Sequence, residues 1–310
     1  MTGPDAVRLE ASVVIPAYNA ERTLDAQLTA LEQQSDAPPH EILVCDNGST
    51  DGTAALVRAW ARRHPHIRLI DASRRRGPSA ARNVGAAAAA TESVLFCDAD
   101  DRAMPGWIAA MTRGLGAASV VVGGFREPAK RPHLRATPPW RLHMDGPIYK
   151  DTFPALPAGG SGNMAVRRSD FLSVGGFDES FRAGEDIDLC WRLQLSGYEL
   201  AFARDSFVAS GPQTGVVAIF RQSRTHGLGD ELLRARYRPL ATQRVSRKEA
   251  QYVGSPPQRE DEVAPSSAVT SPGRVAGRIA WALGQRVERS SKRAADAVAR
   301  VRPFTPPTTC

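Results

Sequence analysis

The sequence predicts an α/β fold with a mainly parallel, Rossmann-like sheet and helices on both of its faces. Short apolar runs alternate along the chain with segments of helical periodicity. These runs are too apolar to face water, which favours parallel strands buried on both sides. Polar clusters follow four of the runs, as expected where loops gather at the carboxyl edge of such a sheet.

Four strand–helix units are predicted in order. Strands are predicted at residues 12–16, 41–45, 67–70 and 93–97, where the sequence is rich in Val, Ile, Leu and Phe. Helices are predicted at 21–34, around 56–60, at 79–91 and at 105–115. Leu24, Leu28 and Leu31 recur at helical spacing in the first helix, and Pro105 suits the first turn of the fourth.

The middle of the chain is less regular. A fifth strand is predicted at 120–124, and a loop rich in Pro, Arg and His follows over 126–157, a common place for variable substrate contacts. Glycines between 159 and 162 then allow close backbone approach before a short strand and a short helix at 167–172. Another helix opens at Gly184.

The carboxyl-terminal part changes in composition. A catalytic domain at 1–230 is predicted to be followed by a connecting segment at 231–244, a disordered linker at 245–273, a basic amphipathic helix at 274–302 and a tail at 303–310. In that helix Val275, Ile279, Leu283 and Val287 recur every four residues among arginines. The pattern fits a helix on an anionic membrane surface, a helix docked on the catalytic domain, or a disordered tail.

Composition and charge restrict the location of the protein and the state of its cysteines, but they do not identify its function. No run is long and apolar enough to span a membrane, and residues 1–10 lack the apolar core of a signal peptide, so we expect a cytoplasmic protein, peripheral on the membrane if the tail binds there. The net charge is +7, and the segment 274–302 holds eight basic residues against two acidic ones. Cys45, Cys97, Cys190 and Cys310 show no CxxC pairing, which favours reduced thiols over a disulfide or zinc site.

The polar clusters share one predicted edge of the sheet. Tyr18 and Asn19 follow the first strand, Asp46 the second, an arginine loop the third, and the acidic run 98–101 the fourth. Such crowded carboxylates repel one another unless a cation or open water offsets them, and oxygen ligands favour Mg²⁺ or Mn²⁺. Taken alone, the acidic run fits a solvated turn equally well, but four clusters on one edge indicate a binding site.

A second acidic pair, Glu185 and Asp186, lies in the first turn of the helix that opens at Gly184. The helix dipole favours carboxylates there, so capping alone can explain both residues. A carboxylate held in this way can also act as a general base when a hydroxyl comes within about 3 Å.

These motifs occur in a fixed order: VVIPAYN at 13–19, VCDNGSTDGT at 44–53, GPSAARNVG at 77–85, FCDADD at 96–101 and GEDIDL at 184–189. The series resembles that of family-2 glycosyltransferases over roughly residues 11–230. The resemblance implies the GT-A fold, inversion at the anomeric carbon and a nucleoside diphosphate sugar as donor, with a UDP-sugar expected. It also implies a glycan, lipid-linked or other hydroxyl acceptor, in the synthesis of cell-envelope glycan, polysaccharide or glycoconjugate.

The resemblance also assigns roles to individual residues. Asp186, beside Glu185 in the ED motif, would be the catalytic base, and Asp46 would bind the nucleotide base. Arg82 would lie near the base and the diphosphate. The remaining positions would bind the nucleotide sugar, and among them the DxD motif would place Asp98 near the ribose and, with Asp100, at the metal: Pro16, Ala17, Tyr18, Asn19, Asp98, Ala99, Asp100 and Glu185.

One departure concerns a histidine that many members of this family carry after the ED helix. Residues 207–210 contain none, so His226 is the nearest candidate for the metal site, and Arg221 and Arg224 are alternatives at the diphosphate. Together, one DxD motif and one acidic pair supply charge neutralisation on the donor side and a base on the acceptor side.

Rival functions fit less well. A dinucleotide-binding dehydrogenase needs glycines after the first strand, and residues 17–21 contain none. A catalytically inactive nucleotide-sugar-binding or scaffold protein is the main alternative, although Asp100 and Asp186 together argue against it. No nucleic acid partner is expected, because Trp281 and Phe304 are the only aromatic residues in the tail.

Overall fold

The computed structural model describes residues 8–126, 145–153, 155–210, 216–241, 251–254, 272–302 and 304. These residues form a nine-stranded sheet covered by helices. The strands are β1 (Ala11–Ala17), β2 (His40–Asp46), β3 (Ile67–Asp71), β4 (Ser93–Cys97), β5 (Arg102–Ala103), β6 (Val120–Arg126), β7 (Asn163–Arg167), β8 (Leu200–Ala209) and β9 (Gln251–Val253). The helices are α1 (Leu24–Glu32), α2 (Thr53–Arg63), α3 (Pro78–Ala88), α4 (Trp107–Gly114), α5 (Arg168–Ser173), α6 (Glu185–Leu195), α7 (Val216–Ala241), α8 (Pro272–Arg289) and α9 (Lys292–Val298).

The order of strands across the sheet is β3-β2-β1-β4-β7-β6-β8-β5, with β9 paired to β8. The strands β3, β2, β1 and β4 are parallel to one another, whereas β7 runs antiparallel to both of its neighbours, β4 and β6. The carboxyl end of β4 therefore meets the amino end of β7, where Cys97 pairs with Asn163. The predicted α/β fold with a mostly parallel sheet is confirmed.

Both faces of the sheet are buried, because successive side chains of each strand enter different clusters. Val14 and Phe96 pack on one face with Trp191 of α6, whereas Ile15 and Leu95 pack on the other, with α1 and α4. A central strand with no face in water has to be apolar throughout, which explains the continuous apolar runs of β1, β2 and β4.

One glycine sets the distance between α3 and the sheet. A Cβ atom at Gly85 would lie 2.3 Å from Cγ1 of Val14 and 2.7 Å from Sγ of Cys45. Any side chain here would lift the helix off β1 and β2 and shift its amino-terminal half, which carries Arg82.

The described cysteines are buried free thiols, as predicted, and burial raises the pKa of both Cys45 and Cys190 to about 12. Cys310 lies outside the described residues.

The carboxyl-terminal elements differ from the predicted boundaries. Helix α7 runs without interruption through residue 230, and Leu233 and Tyr237 beyond it are buried in the core, so part of the predicted connecting segment belongs to the folded unit. Residues 251–253 of the predicted linker form the edge strand β9, in which Tyr252 packs against Phe202. Most of the remaining linker lies outside the described residues, as do residues 127–144 of the predicted loop at 126–157.

The predicted basic helix at 274–302 is two helices, because Ser291 begins a new one. Its side-chain oxygen accepts a hydrogen bond from the backbone N–H of Ala294 at 3.1 Å, as an N-cap residue does. Strand β8 was not predicted, since Arg204 and Asp205 interrupt its apolar pattern. No helix within the described ranges is both long and apolar enough to cross a bilayer.

Candidate functional site

A cavity of about 800 Å³ opens at the carboxyl edge of β1, β2 and β4. This volume is within the range of small-molecule sites. The structure brings eight of the predicted site residues together around it: Pro16, Ala17, Tyr18, Asn19, Arg82, Asp98, Ala99 and Asp100.

Hydrogen bonds between the β1–α1 and β2–α2 loops hold the first wall. Asn19 adopts a positive φ of 51°, and its Oδ1 accepts from the backbone N–H of Thr50 at 2.8 Å. The Oδ1 of Asp46 accepts from both the backbone N–H and the hydroxyl of Ser49, at 3.0 and 2.5 Å. Asp46, which was predicted to bind the nucleotide base, fixes this turn and is not among the residues that line the cavity.

The arginine loop after β3, which was predicted to lie at this edge of the sheet, forms a second wall, although no role was predicted for its individual residues. Asn47 anchors the loop: its side-chain nitrogen donates to the carbonyl oxygens of Ala72 and Arg75, and its Oδ1 accepts from the N–H of Gly77. The guanidinium of Arg76 lies 5.4 Å from the centre of the exposed Tyr18 ring. The loop thereby places a cation beside the aromatic ring of Tyr18 at the cavity.

The third wall carries the carboxylate cluster Asp98, Asp100 and Asp101, whose oxygens lie within 4.8 Å of one another. Asp100 is exposed and Asp101 is buried. The fully buried Gln27 of α1 positions this turn, donating to the carbonyl of Asp98 at 3.1 Å and accepting from the N–H of Ala103 at 2.9 Å. The only sign of this role in the sequence was that Gln27 is a polar residue among the leucines of α1.

The donor set fits a hard divalent cation. Three carboxylates at such short separation repel one another, and oxygen ligands are those that Mg²⁺ and Mn²⁺ prefer. A Cβ atom at Gly162 would lie 2.7 Å from an oxygen of Asp98, so only glycine leaves the space beside the cluster open.

Arg82 connects this cluster to the acidic pair on α6. Its guanidinium is almost completely buried and donates to Asp98 at 2.6 Å and to Glu185 at 3.3 Å. The sequence-based prediction placed Arg82 near the base and the diphosphate. In the structure it lines the cavity with its charge already paired by the two carboxylates.

The two acidic residues of α6 differ in environment. Glu185 is buried, and burial, with a smaller effect of the neighbouring Asp186 charge, raises its pKa from 4.5 to about 7. It was predicted to bind the donor, but it contacts Arg82 and is not among the residues lining the cavity. Asp186 is half-buried and accepts from the backbone N–H groups of Ser161 at 3.2 Å and Ile187 at 2.8 Å.

The predicted alternatives on α7 lie elsewhere. The ring of His226 packs 5.1 Å from that of Trp281 on α8, and His226 is not part of the carboxylate cluster. Arg221 and Arg224 line a separate small cavity with Glu288. Arg182, on the loop before α6, lines the main cavity instead. Its position in the sequence gave no signal for this role.

Comparison with known proteins adds independent findings. The model of the family described as Glycosyl transferase family 2 matches residues 12–175, and that of Glycosyl transferase family group 2 matches residues 148–257. The chain is 32% identical over 232 residues to validoxylamine A glucosyltransferase of Streptomyces hygroscopicus subsp. limoneus, covering 65% of this chain and 51% of that protein. It is 30% identical over 216 residues to pre-mycofactocin glycosyltransferase of Mycobacterium tuberculosis, covering 66% and 43%. The chain thus spans about half the length of these relatives.

Solved structures resemble the fold. A mannosyltransferase from Pyrobaculum calidifontis in complex with GDP-Man and Mn²⁺ aligns with a TM-score of 0.55 and 20% identity, covering 94% of this chain and 79% of that one. Residues 1–349 of TarS from S. aureus in complex with UDP-GlcNAc align with a TM-score of 0.52 and 15% identity, covering 93% and 83%. At these identities the likeness shows the fold alone.

The raised pKa of Glu185 predicts a pH dependence of stability. Because the native pKa of about 7 exceeds the ordinary value of 4.5, the native state binds more protons between these two pH values, and stability falls as pH rises through this window. The variant Glu185→Gln lacks this loss, so the difference in unfolding free energy, variant minus wild type, should increase from pH 4.5 to 7. Urea unfolding at several pH values measures it.

The control is Glu10→Gln, which removes the same charge at an exposed position. Its profile should run parallel to that of the wild type. A constant difference between Glu185→Gln and the wild type across the window would contradict the assignment.

Proposed function

Because the chain belongs to glycosyltransferase family 2, we propose that it transfers a sugar from a nucleoside diphosphate sugar to a hydroxyl group, with inversion and with a divalent cation. The observation that carries this proposal is the Arg82 bridge. It ties the carboxylate cluster at the cavity to the helix that carries Asp186, so the two centres that the reaction needs form one connected site. The acceptor is a glycan, a lipid-linked or another hydroxyl compound.

The donor occupies the cavity at the carboxyl edge of the sheet. Tyr18 offers an exposed aromatic ring on which a nucleobase can stack, and the guanidinium of Arg76 lies 5.4 Å from the centre of that ring. A UDP-sugar is the proposed donor. TarS from S. aureus in complex with UDP-GlcNAc supports this choice, and the mannosyltransferase in complex with GDP-Man makes a GDP-sugar the comparison to include.

Asp98, Asp100 and Asp101 are the residues that would hold the cation, Mg²⁺ or Mn²⁺. When bound, the ion neutralises negative charge that develops on the diphosphate as it leaves. The Mn²⁺ in the complex of the mannosyltransferase supports this assignment.

Arg182 is the arginine proposed to contact the diphosphate. It is exposed, lines the cavity, and makes no ion pair within the described part of the chain. Arg82, by contrast, already pairs with two carboxylates. A flexible cation facing the cavity can bind phosphate oxygens with charge-assisted hydrogen bonds, each about twice as strong as a neutral one.

Asp186 is proposed as the base that takes the proton from the acceptor hydroxyl. Two backbone N–H groups hold its carboxylate in place, and a carboxylate so held can accept a proton from a hydroxyl within hydrogen-bond reach. Inverting transfer requires a single base on the acceptor side, and Glu185 is buried against Arg82 and cannot reach a substrate.

The first test is nucleotide binding. Titration calorimetry with UDP and GDP should show affinity that falls about tenfold or more when Mn²⁺ is replaced by EDTA, because the ion links carboxylates and diphosphate. In Asp100→Asn this metal effect should be largely lost, while the exposed control Asp296→Asn should behave like the wild type. Absence of metal-dependent binding to either nucleotide would contradict the proposal.

The second prediction concerns the base. Asp186→Asn should bind the donor nucleotide as the wild type does, because its side chain is not at the cavity wall, but transfer and donor hydrolysis should fall about 100-fold or more. Mass spectrometry of a panel of nucleotide sugars reads out both reactions. Donor binding without turnover in the wild type would favour the non-catalytic alternative, and retained turnover in the variant would remove Asp186 as base.

The third prediction separates diphosphate from nucleoside recognition. In Arg182→Ala the affinity for UDP should fall about tenfold, because one charge-assisted contact to phosphate is lost, while that for uridine should stay unchanged. Arg58→Ala on α2 removes an exposed arginine that is not among the residues lining the cavity, and it serves as control. Equal losses for UDP and uridine would point to a structural effect rather than a phosphate contact.

A further inference from the structure

The last two long helices form an outer layer with a tightly fitted interface. Helix α8 packs on α7 through small residues: a Cβ atom at Gly284 would lie 1.8 Å from the hydroxyl oxygen of Ser223. Ala280, Gly284 and Glu288 are buried along this contact line. Ser223 contacts Ala280, and seven residues later Asp230 contacts Arg289, so the helices run parallel.

The apolar stripe of α8 does not enter this interface. The stripe lies one position before the buried contact line and consists of Ile279, Leu283 and Val287. Their exposed fractions are 55%, 53% and 50%. Residues four apart lie on one helix face, so the three form a continuous exposed stripe over more than two turns. A single exposed apolar residue needs no explanation, but a contiguous row of them marks an interaction surface.

Arginines surround one end of this stripe. The buried Glu288 pairs with Arg224 of α7 at 2.8 Å, and Arg221 and Arg293 complete a cavity of about 100 Å³ beside it. Three cations around one carboxylate leave this region positive. Arg221 and Arg293 are exposed.

Stripe and arginines share one flank of the helix pair. Gln285 and Arg289 follow the contact line on α8, and both contact Asp230 of α7. When two helices run parallel, the residue that follows a contact-line residue on one helix lies on the same flank of the pair as the residue that precedes a contact-line residue on the other. Arg224, one position after Ser223, therefore lies on the flank of Leu283 rather than that of Gln285.

We propose that this flank, with Ile279, Leu283 and Val287 beside Arg221, Arg224 and Arg293, docks on the surface of an anionic lipid bilayer. Apolar side chains at the acyl boundary and arginines at phosphate level are the two elements of interfacial helix binding. A protein partner favours aromatic anchors, which this stripe lacks, and nucleic acid offers nothing to half-exposed leucine and isoleucine. The excess of basic residues over 274–302 gives the charge complementarity.

The position of the flank connects membrane docking to the site. Gly229 of α7 packs directly on Ala183: a Cβ atom added at Gly229 would lie 2.3 Å from the carbonyl oxygen of Ala183. The next residue, Gly184, is the N-cap of α6. Lys150 pairs with Asp230 at 3.0 Å and ties the same helix to the segment that leads to the glycines at 159–162. Docking through α7 and α8 therefore fixes the orientation of Asp186 relative to the bilayer and suits an acceptor that is held in the membrane.

Flotation of the full chain with vesicles tests the inference. The wild type should float with phosphatidylcholine vesicles that contain phosphatidylglycerol, less with pure phosphatidylcholine, and less at high salt. The variant Ile279→Ser/Leu283→Ser should bind anionic vesicles about tenfold or more weakly, because exposed apolar area no longer enters the bilayer. Leu172→Ser changes a leucine of similar exposure, 45%, on α5 and should float as the wild type does.

Thermal unfolding and UDP binding verify that the variants remain folded. Arg221→Gln tests the basic part of the flank independently, by removing a charge at an exposed position. Reduced flotation of both the serine variant and Arg221→Gln supports the proposal. Failure of the wild type to float, or equal flotation of the serine variant, overturns it. Analytical ultracentrifugation measures self-association. If the serine variant loses self-association while its flotation is unaffected, the membrane proposal is overturned in favour of a second copy of the chain on this surface.

Discussion

The candidate site depends on one buried cation, the guanidinium of Arg82. Its burial carries a desolvation cost, which the close carboxylates of Asp98 and Glu185 offset. Removing one partner of such a buried pair typically costs about 3–5 kcal/mol, because the remaining charge is left uncompensated. The end of β4 and the start of α6, almost ninety residues apart in the chain, are held together by this interaction. Asp98 and Asp186 thereby belong to one rigid arrangement.

Neutral contacts then fix what Arg82 connects. Gln27 holds the turn that presents the carboxylates, and Gly85 lets α3 approach the sheet closely enough to place Arg82 at all. The side-chain amide of Asn47 does the same for the arginine loop. No role in the chemistry is proposed for these residues, but their loss would displace the side chains that have one.

The sequence predicted the strand ends well and the partners of individual side chains poorly. Apolar runs and the order of polar motifs are local patterns, so the parallel half of the sheet and the residues of the cavity wall follow from them. The partner of Arg82 on α6 depends on packing between elements distant in the chain, and Arg182 stands in no motif. The stripe of α8 shows the limit of periodicity: Ile279 and Leu283 mark an amphipathic helix, yet Ala280 and Gly284 form its interface because small residues permit the closer approach.

The antiparallel strand β7 explains why one loop reaches both the carboxylate cluster and Asp186. In a wholly parallel sheet, the loop before this strand would lie at the opposite edge from Asp98. The reversed direction brings Gly162 against the Asp98 carboxylate and Ser161 against Asp186, so a single short loop contacts both centres of the site. Its glycines leave room beside the carboxylate cluster, and its backbone N–H orients the proposed base. The same segment is tied through Lys150 to α7, so the helix layer, the loop and the two carboxylate centres form one continuous set of contacts.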